Sequence, residues 1–538
     1  MALPRDLFLI GPDAETPLIP ETAGAKAVEL WRMARLGLNV PPAFVLSTRL
    51  CGPVNRSEAG AERALAQSLE QGIRYLERAT GRGFGDARNP LLVSVRSGAA
   101  RSMPGMLETV LDVGLNAQTV RGLIRLTGNP QRAWDSYRRF VQGFAEVVWG
   151  LPAAPFAERL AALKRTEAAE TDAELDPEAL ERLTTGFAEI AVGLGKRPFP
   201  DDPVDQLTAV ARAVYRSWDG DKARAYRGLN GLDGLCGTAL TVQAMVFGNG
   251  GGRSGAGVAF TRNPSTGAKE LYADFLFDAQ GEDVVSGRRR PGDWGMLAKR
   301  LPEVALALSR GAERLERELR DMQDIEFTVE DGTLYFLQAR AGKRTPRAAV
   351  KIAVDLVREG LIDEAVAMRR LRDIDLAAAA VVRFAGAANP IAVATPASVG
   401  VAVGRVAFDS ARAKALSDQG EPVILVRRQT STEDVLGFSV AAGILTAVGG
   451  RTAHAAVVAR QLGKVCLVGC RELNVDATGR NAAIAGHALD VGDWLSLDGE
   501  SGEIYLGKRD IVRERPQAEF AAIEAWKRKF FAAASLDD

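Results

Sequence analysis

The stretch from Gly443 to Cys470 constrains the chain most, because a β-rich run, a glycine pair and a helix of small residues follow one another in it. Thr452 has the side chain of a helix N-cap, which puts His454 in the first helical turn. Unpaired backbone N–H groups and the positive end of the helix dipole gather there and disfavour a protonated imidazole. We therefore expect His454 to be neutral and nucleophilic near neutral pH, in a place that suits an attached anion.

The imidazole of His454 has two interpretations. It is either a covalent carrier that divides a difficult transfer into two steps, or a side chain that caps a helix or fills a strand–helix junction. The only other histidine, His487, is flanked by glycine and alanine, which is typical of a surface loop. Local chemistry alone leaves both interpretations of His454 open.

Composition excludes several classes of function. At 538 residues the chain should divide into three or four units. Lysine plus arginine equals aspartate plus glutamate, at 68 each, so no overall field attracts nucleic acid or an anionic membrane. The most apolar stretch, 377–403, contains Arg383, Pro390 and Pro396, which argues against a membrane span. The N-terminal residues do not have the pattern of a secretory signal. The four cysteines are typical of buried, reduced thiols. For Cys466 and Cys470, packing in a core is favoured over a metal-binding pair. A cytoplasmic protein is expected.

The segment GILTAVGGRTAHAAVVARQLG closely resembles the phosphohistidine-domain signature of the pyruvate phosphate dikinase and phosphoenolpyruvate synthase family. The resemblance implies that His454 is phosphorylated and that Thr452 occupies the family's threonine position. Ala453 stands where the family usually has serine, which removes one hydroxyl hydrogen bond but keeps the nucleophile.

Two cations in the first hundred residues lie in settings that suit phosphate binding. Lys26 follows a glycine-bearing turn, and Arg96 is expected at the end of a buried strand, where a guanidinium can hold a phosphate by two bonds. Taken alone, they could equally be a surface charge and a loop-pinning salt bridge. Residues 21–48 resemble the family's first nucleotide-binding motif, and SVRSGAARSMPGMLETVLDVGLN resembles the dikinase branch, which implies that Lys26 and Arg96 contact ATP. Ala25 and Ala27 replace family glycines, so a stiffer loop is expected.

A glycine-rich segment, 248–257, lies between two apolar runs and is predicted to be the loop of a long hairpin. Such a loop is weak evidence by itself, and this one lacks the ending of a P-loop. Its flanking sequences resemble the ATP-grasp loop of the same family. The resemblance implies nucleotide-binding positions at Gln243, Gly250, Gly251, Gly252 and Glu282.

Residues 325–340 are predicted to form a hairpin. A three-residue loop, 331–333, would place Glu326 opposite Gln338 and gather the apolar residues on the other face, at Ile325, Phe327, Val329, Tyr335, Leu337 and Ala339. A carboxylate beside an amide oxygen suits Mg²⁺, although a half-exposed hairpin with ordinary polar residues fits the same pattern. Resemblance to the family's DMQDIEFT run implies that Glu326 and Gln338 bind the metal and that Arg340 contacts phosphate.

The fold class implied by the resemblance is α/β. The chain as a whole is expected to be a multidomain α+β protein. It comprises an ATP-grasp nucleotide-binding domain at 1–342 with a helical insert near 117–200, a helical connector and linker at 343–396, a swivelling phosphohistidine domain at 397–508 and a helical tail at 509–538. The tail pattern predicts an apolar docking face that includes Phe520, Ile523 and Trp526.

The function implied by the resemblance is Mg²⁺-dependent phosphotransfer from ATP to His454. The family's dikinase converts ATP, phosphate and pyruvate into AMP, pyrophosphate and phosphoenolpyruvate, and its third domain, a barrel, would begin where this sequence stops. Pyruvate or phosphoenolpyruvate is therefore expected to act through a separate or missing barrel, and the chain is expected to lack nucleic-acid and membrane partners and to form a homodimer. The alternatives are a partial phospho-relay subunit, an enzyme similar to phosphoenolpyruvate synthase, and a scaffold that binds ATP without being labelled.

Overall fold

A computed structural model describes residues 4–11, 16–101, 103, 107–169, 172–195, 197–285, 292–430, 434–451, 454–476 and 481–534. The chain separates into two compact units, Met1–Gly250 with Tyr335–Gln338 and Gly251–Leu334 with Ala339–Asp538. Helices and strands alternate through both units, so the predicted α/β class is confirmed.

The first unit is built on a five-stranded antiparallel sheet and a small two-stranded one. Its strands are β1 (Leu7–Ile10), β2 (Ala43–Leu46), β3 (Gly83–Phe84), β4 (Pro90–Leu91), β5 (Val93–Ala99), β6 (Thr109–Val113) and β7 (Thr238–Ala244). The large sheet has the order β1-β2-β7-β5-β6, and β3 pairs with β4. All four residues of β2 and all seven of β7 are buried, because each of these strands has neighbours on both sides.

Helices make up the rest of the first unit. They are α1 (Pro20–Ala23), α2 (Ala25–Arg35), α3 (Thr48–Asn55), α4 (Ala61–Thr80), α5 (Thr119–Thr127), α6 (Pro130–Trp149), α7 (Ala154–Thr166), α8 (Pro177–Gly195), α9 (Pro203–Ser217) and α10 (Asp221–Leu229). Helix α6 has the expected features at both ends. Asn129 caps α6 by accepting a hydrogen bond from the Arg132 amide at 2.9 Å, and the helix ends at Gly150 with φ of 68°.

The second unit begins with another five-stranded sheet and the helices that pack on it. These elements are β8 (Gly255–Phe260), β9 (Tyr272–Phe277), β10 (Gly292–Asp293), β11 (Gln323–Glu330) and β12 (Thr333–Ala341), with α11 (Gly281–Val285), α12 (Trp294–Arg300), α13 (Pro302–Leu319), α14 (Pro346–Arg358) and α15 (Glu364–Leu371). The sheet order is β10-β9-β8-β11-β12. Residues 335–338 of β12 belong to the first unit, so this strand crosses the division.

The remaining chain contains an eight-stranded sheet at its centre, a two-stranded sheet that pairs its first strand with its last, and a three-stranded sheet formed by three short consecutive strands. The strands there are β13 (Val381–Phe384), β14 (Ala392–Val393), β15 (Thr395–Ser398), β16 (Val401–Ala407), β17 (Val423–Arg427), β18 (Gly443–Thr446), β19 (Val465–Val468), β20 (Leu473–Val475), β21 (Ala482–Ile484), β22 (His487–Leu489), β23 (Trp494–Asp498), β24 (Glu503–Leu506) and β25 (Ile511–Glu514). The helices are α16 (Ser410–Asp418), α17 (Val435–Val440), α18 (His454–Gln461) and α19 (Gln517–Ala534). The sheet order is β14-β24-β23-β16-β17-β18-β19-β15.

Four central strands of this sheet, β16 to β19, are parallel, and the chain passes through α16, α17 and α18 between them. Crossover helices cover the sheet, so the strands are apolar runs rather than alternating ones. Cys466 and Cys470 are both buried in the cores beside this sheet, which confirms that they pack as core residues. Ile523 and Trp526 of α19 pack with α14 and α15, as the tail pattern predicts.

Candidate functional site

His454 is the first residue of α18, which follows β18 at the carboxyl end of the parallel strands. Ala455, Ala456 and Ala459 are buried in the core beneath the helix, so small residues let α18 lie close to the sheet. The predicted strand–turn–helix arrangement is confirmed. Thr452 and the imidazole of His454 lie outside the described residues, so the N-cap and the role of the ring remain predictions.

Lys26, Arg96 and Gln243 are brought to one face of the sheet in the first unit. The register pairs Arg96 with Thr241 and Ser94 with Gln243, and directly paired residues project to the same side. Gly98 follows on that side, and a Cβ at this position would lie 4.0 Å from the Cβ of Lys26. The first turn of α2, with Lys26, therefore lies against the face of β5 from which Arg96 projects, and a phosphate contact for either cation remains a prediction.

Gly24 makes this close approach possible. It separates α1 from α2 with φ of 79°, and a Cβ there would lie 2.0 Å from the carbonyl oxygen of Gly98. A residue with a side chain would clash with β5 and adopt a conformation that L-residues disfavour. Lys26, two residues later, owes its place beside β5 to this contact.

The side chain of Gln243 has a structural partner. It is 2% exposed, and its Nε2 donates a hydrogen bond to the carbonyl oxygen of Pro41 at 3.0 Å. This bond ties β7 to the segment that precedes β2. A nucleotide contact for Gln243 remains a prediction.

The glycine-rich loop connects two sheets, and the prediction of a long hairpin is wrong. β7 lies between β2 and β5, whereas β8 lies between β9 and β11. Glycines mark the loop, but the pairing of the strands around it depends on distant segments. Within the second unit, the amide of Gly251 donates to Asp278 Oδ1 at 3.1 Å, and Arg300 Nη2 donates to the carbonyl oxygen of Gly252 at 3.2 Å.

Two other predicted nucleotide positions are only partly described. Gly250 is exposed and stands at the end of the 1–250 segment of the first unit. Glu282 lies in α11, and its side chain is outside the described residues. Their proposed contacts with ATP remain predictions.

The best-defined charged cluster of the second unit joins β11 to the end of β12. Arg340 Nε donates to Asp324 Oδ2 at 2.8 Å, and Arg340 Nη2 lies 4.0 Å from Glu326 Oε1. Asp324 and Glu326 are two residues apart in one strand and therefore share a face. The predicted residues Glu326 and Arg340 are thus brought together, with Asp324 as an additional member.

Asp324 is a member of this charged cluster that the sequence analysis missed. It stands two residues before Glu326, so the alternation of the strand already places both carboxylates on one side. Burial raises the pKa of Asp324, and the nearby Arg340 partly opposes this rise. Burial alone would lower the pKa of Arg340, but Asp324 and Glu326 together raise it above the ordinary value. The cluster therefore keeps its guanidinium charged.

The turn between β11 and β12 has two residues, Asp331 and Gly332, and the predicted three-residue loop is wrong. Both residues have positive φ, 46° and 77°, which is the geometry of a tight hairpin turn. Leu334 and Phe336 are buried, whereas Tyr335 and Leu337 are half-buried, so the predicted apolar face of β12 is also wrong. Gln338 is half-buried and belongs to the first unit. Its pairing with Glu326 remains a prediction.

The carboxylates of the same cluster are candidate ligands for a metal ion. Among the residues that the structure describes, no group of three or more His, Cys, Asp or Glu side chains could hold a metal ion by itself. Asp324 and Glu326 nevertheless offer two carboxylates on one face, and the buried Asp324 Oδ1 has no hydrogen-bond partner among the described residues. Mg²⁺ is commonly held by one or two carboxylates together with the phosphates of a substrate. The donor set fits an ion that arrives with a nucleotide.

The described part of the chain contains no helix with the length and hydropathy that crossing a membrane requires.

Comparisons with known proteins show which family this chain resembles. A family model for the AMP/ATP-binding domain of pyruvate phosphate dikinase matches residues 57–305 and 298–361, and one for the mobile domain of PEP-utilising enzymes matches residues 419–502. The chain is thus a multidomain α/β protein in which two family models match successive parts. It belongs to the pyruvate phosphate dikinase family.

Several relatives share most of this chain. Pyruvate, phosphate dikinase of Clostridium symbiosum is 43% identical over 512 residues, which cover 94% of this chain and 59% of the relative. Pyruvate, phosphate dikinase 2 of Zea mays is 43% identical over 94% of this chain and 58% of its own length. The chloroplastic enzyme of Flaveria trinervia is 44% identical, with coverages of 94% and 53%. The chain therefore spans a little over half the length of these relatives.

Proposed function

We propose that this chain transfers a phosphoryl group from ATP to His454, as in the first half-reactions of a pyruvate, phosphate dikinase. The observation that carries the proposal is the placement of His454 at the start of α18, within the stretch that matches the mobile domain of PEP-utilising enzymes. The 43% identity to the Clostridium symbiosum dikinase over 94% of the chain supports the same chemistry.

The proposed reaction has two steps on the protein. An imidazole nitrogen of His454 forms a bond to the β-phosphorus of ATP while the bond from that phosphorus to the α–β bridging oxygen breaks, and AMP leaves. Inorganic phosphate then takes the terminal phosphoryl group as pyrophosphate, which leaves the β-phosphoryl group on the imidazole. Pyruvate is the proposed final acceptor, and it would react at a barrel domain of the kind that the resemblance implies.

The charged residues of the two units would act by positioning and by neutralising charge. Lys26 and Arg96 would hold phosphates on the first unit, the glycines at 250–252 would offer backbone amides, and Arg340 would stabilise charge on the transferring groups. Mg²⁺ would be held by Glu326 and Gln338, as the resemblance implies, and Asp324 is a third oxygen donor. When bound, the ion supplies charge neutralisation on the polyphosphate.

The proposal is tested by following which phosphorus atom of ATP is transferred to the protein. The purified chain is incubated with Mg²⁺ and with ATP labelled at either the β- or the γ-phosphorus. We expect both labels on the protein before phosphate is added, and after its addition only the β-label, on an adduct that is labile in acid and stable in base. A His454→Asn variant should take up no label, and equal labelling of this variant and the parent would refute the proposal.

The same experiment separates the alternatives. Formation of phosphoenolpyruvate after pyruvate is added would show that the chain completes the reaction by itself. ATP binding without label uptake would make it a nucleotide-binding scaffold. A labelled chain that transfers its phosphoryl group only to a separate protein would be a relay subunit.

Two further features are part of the proposal. We expect a homodimer, which sedimentation of the purified chain would reveal, and a cytoplasmic location, which fractionation of the source cells would test.

A further inference from the structure

Arg460, near the end of α18, is a buried cation with contacts in two directions. It is 1% exposed. Its Nη1 donates hydrogen bonds to the carbonyl oxygens of Ala397 at 2.7 Å and Arg451 at 2.8 Å. Its guanidinium carbon lies 5.4 Å from the centre of the Phe260 ring, within the range of a cation–π contact.

These partners belong to different parts of the second unit. Arg451 lies in the loop between β18 and α18, three residues before His454, and Ala397 lies on β15. Phe260 is the last residue of β8, where it pairs with Asp324 of β11. A single side chain therefore connects the loop that leads to His454 with the sheet that carries Asp324, Glu326 and Arg340.

Other contacts join the same two surfaces around Arg460. The hydroxyl of Tyr272 on β9 donates to the carbonyl oxygen of Pro396 at 3.0 Å, and the hydroxyl of Ser265 donates to that of Ala397 at 3.3 Å. The guanidinium of Arg451 lies 4.8 Å from the Tyr272 ring. The β15 segment and the His454 loop thus meet one edge of the β8–β9 surface.

The burial of Arg460 is energetically costly. Nε and Nη2 have no hydrogen-bond partner among the described residues. Burial lowers the pKa of Arg460, and the nearby carboxyl groups of Asp274 and Asp324 oppose this shift only in part. An apolar side chain of similar length would fill the same space without this cost. A role in stability alone therefore does not explain a guanidinium here.

We propose that Arg460 is a positioning residue for phosphoryl transfer to His454. Its hydrogen bond to Arg451 fixes the loop that precedes His454, and its contact with Phe260 holds α18 against the sheet that carries the Asp324–Arg340 pair. The inference rests on the proposed phosphorylation of His454. It adds that the contacts of Arg460 hold His454 in the position from which it reacts with the nucleotide.

Four variants test this role in the full chain: Arg460→Met, Arg460→Lys, Phe260→Leu and the double variant Arg460→Met/Phe260→Leu. Each is measured for the single-turnover rate of label uptake from β-labelled ATP, for the Kd of ATP and for thermal unfolding. The matched control is Arg405→Met, because Arg405 also donates to a carbonyl oxygen, that of Gly492 at 2.8 Å, and lies 4.5 Å from the Trp494 ring, away from His454.

We expect the labelling rate to fall about 100-fold in Arg460→Met and about 10-fold in Phe260→Leu, because a small misplacement of a reacting group has effects of this order. The Kd of ATP should change less than about twofold, because nucleotide contacts are untouched. Arg460→Lys should label faster than Arg460→Met but more slowly than the parent, since lysine keeps the positive charge but lacks the planar set of donors of a guanidinium. The double variant should be no slower than Arg460→Met if both contacts serve one function.

The outcomes separate this inference from the proposed function. Absence of label in the parent chain would refute phosphorylation of His454 itself. A labelled parent with Arg460→Met at the same rate would overturn the role of Arg460. If Arg460→Met does not fold, Phe260→Leu decides, because it keeps the hydrogen bonds to the loop. A parental rate in Phe260→Leu, or equal losses in Arg405→Met and Arg460→Met, would also overturn the inference.

Discussion

Arg340 Nε lies 2.8 Å from Asp324 Oδ2, and this pair joins the end of β12 to the strand that carries Glu326. The side chain of Asp324 is 7% exposed, whereas that of Arg340 is 49% exposed. The carboxylate is thus fixed inside the sheet, and the guanidinium reaches from it towards solvent. Such a cation is held in place and still has donors for a phosphate.

Replacing Asp324 by Asn should slow phosphoryl transfer without unfolding the chain. The amide keeps the size of the carboxylate but loses the charge that orients Arg340 and that would bind Mg²⁺. We expect the single-turnover rate of label uptake at His454 to fall about 100-fold, the order found when one preorganised electrostatic group is removed. The matched control is Asp331→Asn at the exposed turn between the same strands, which should label at the parental rate. Equal rates for the two variants would contradict this prediction.

The close contact of Gly24 with Gly98 should contribute strongly to the stability of the first unit. In Gly24→Ala the new methyl group would meet a backbone oxygen at 2.0 Å, and φ of 79° is strained for any L-residue. We expect a loss of unfolding free energy of about 3 kcal/mol or more, measured by urea denaturation. Gly81→Ala is the control, because Gly81 also has positive φ, 68°, but has open space around its Cβ position. That variant should lose only about 1–2 kcal/mol, and similar losses in both would show that the contact is unimportant.

The local pattern around His454 could be predicted from the sequence because it depends on neighbouring residues. The β-rich run, the glycine pair and the alanines fix a strand, a turn and a helix within some twenty positions, and the structure has β18 and α18 there. Pairing across long distances could not be predicted. β7 pairs with β2 and β5, through residues such as Ala43 with Gln243, and nothing near Gly248 encodes those partners.

The hairpin of β11 and β12 shows a second limit. Asp331-Gly332 is a strong signal for a two-residue turn, but one uniform alternation of buried and exposed residues through β12 fits only a three-residue loop. The buried residues of β12 are Leu334 and Phe336 at even positions and then Ala339 at an odd position. The face of the strand that is buried therefore changes between Phe336 and Ala339. One uniform period cannot describe such a strand. Arg460 illustrates a third limit, because a cation in a short helix indicates a solvated face until the neighbouring sheet is known.

The Arg262–Glu316 pair should be a major source of stability in the second unit. Arg262 is fully buried, and its guanidinium bonds to Glu316 at 2.7 and 3.0 Å and to Glu359 at 2.8 Å. Glu316→Gln would leave a buried cation with less compensation, so we expect a loss of about 3–5 kcal/mol in urea denaturation. The control is Glu62→Gln, which breaks the exposed pair of Glu62 with Arg212 at 2.6 Å and should cost less than about 1 kcal/mol. A smaller loss for Glu316→Gln than for Glu62→Gln would refute the assignment.

Asp112 on β6 is a fully buried carboxyl group whose proton should make stability depend on pH. Burial raises its pKa from 3.8 to about 7, although Arg139 and Arg132 oppose the shift, and Asp135 adds to it. The folded chain therefore keeps this proton up to about pH 7, whereas the unfolded chain releases it near pH 4. Between these values the folded state binds more protons than the unfolded state, so this group's contribution is fully present below pH 4 and is lost as the pH rises through 7.

Asp112→Asn should remove this dependence, because the amide is neutral at every pH. We expect the parent, relative to the variant, to lose roughly 2–4 kcal/mol of unfolding free energy between pH 4 and pH 8, as measured by urea denaturation at each pH. In the parent, the carbon resonance of the Asp112 carboxyl group should titrate near pH 7, which identifies the group directly. A resonance that titrates near pH 4, or a difference between parent and variant that stays constant from pH 4 to pH 8, would show that the folded chain holds Asp112 ionised, paired with the guanidinium groups of Arg132 and Arg139.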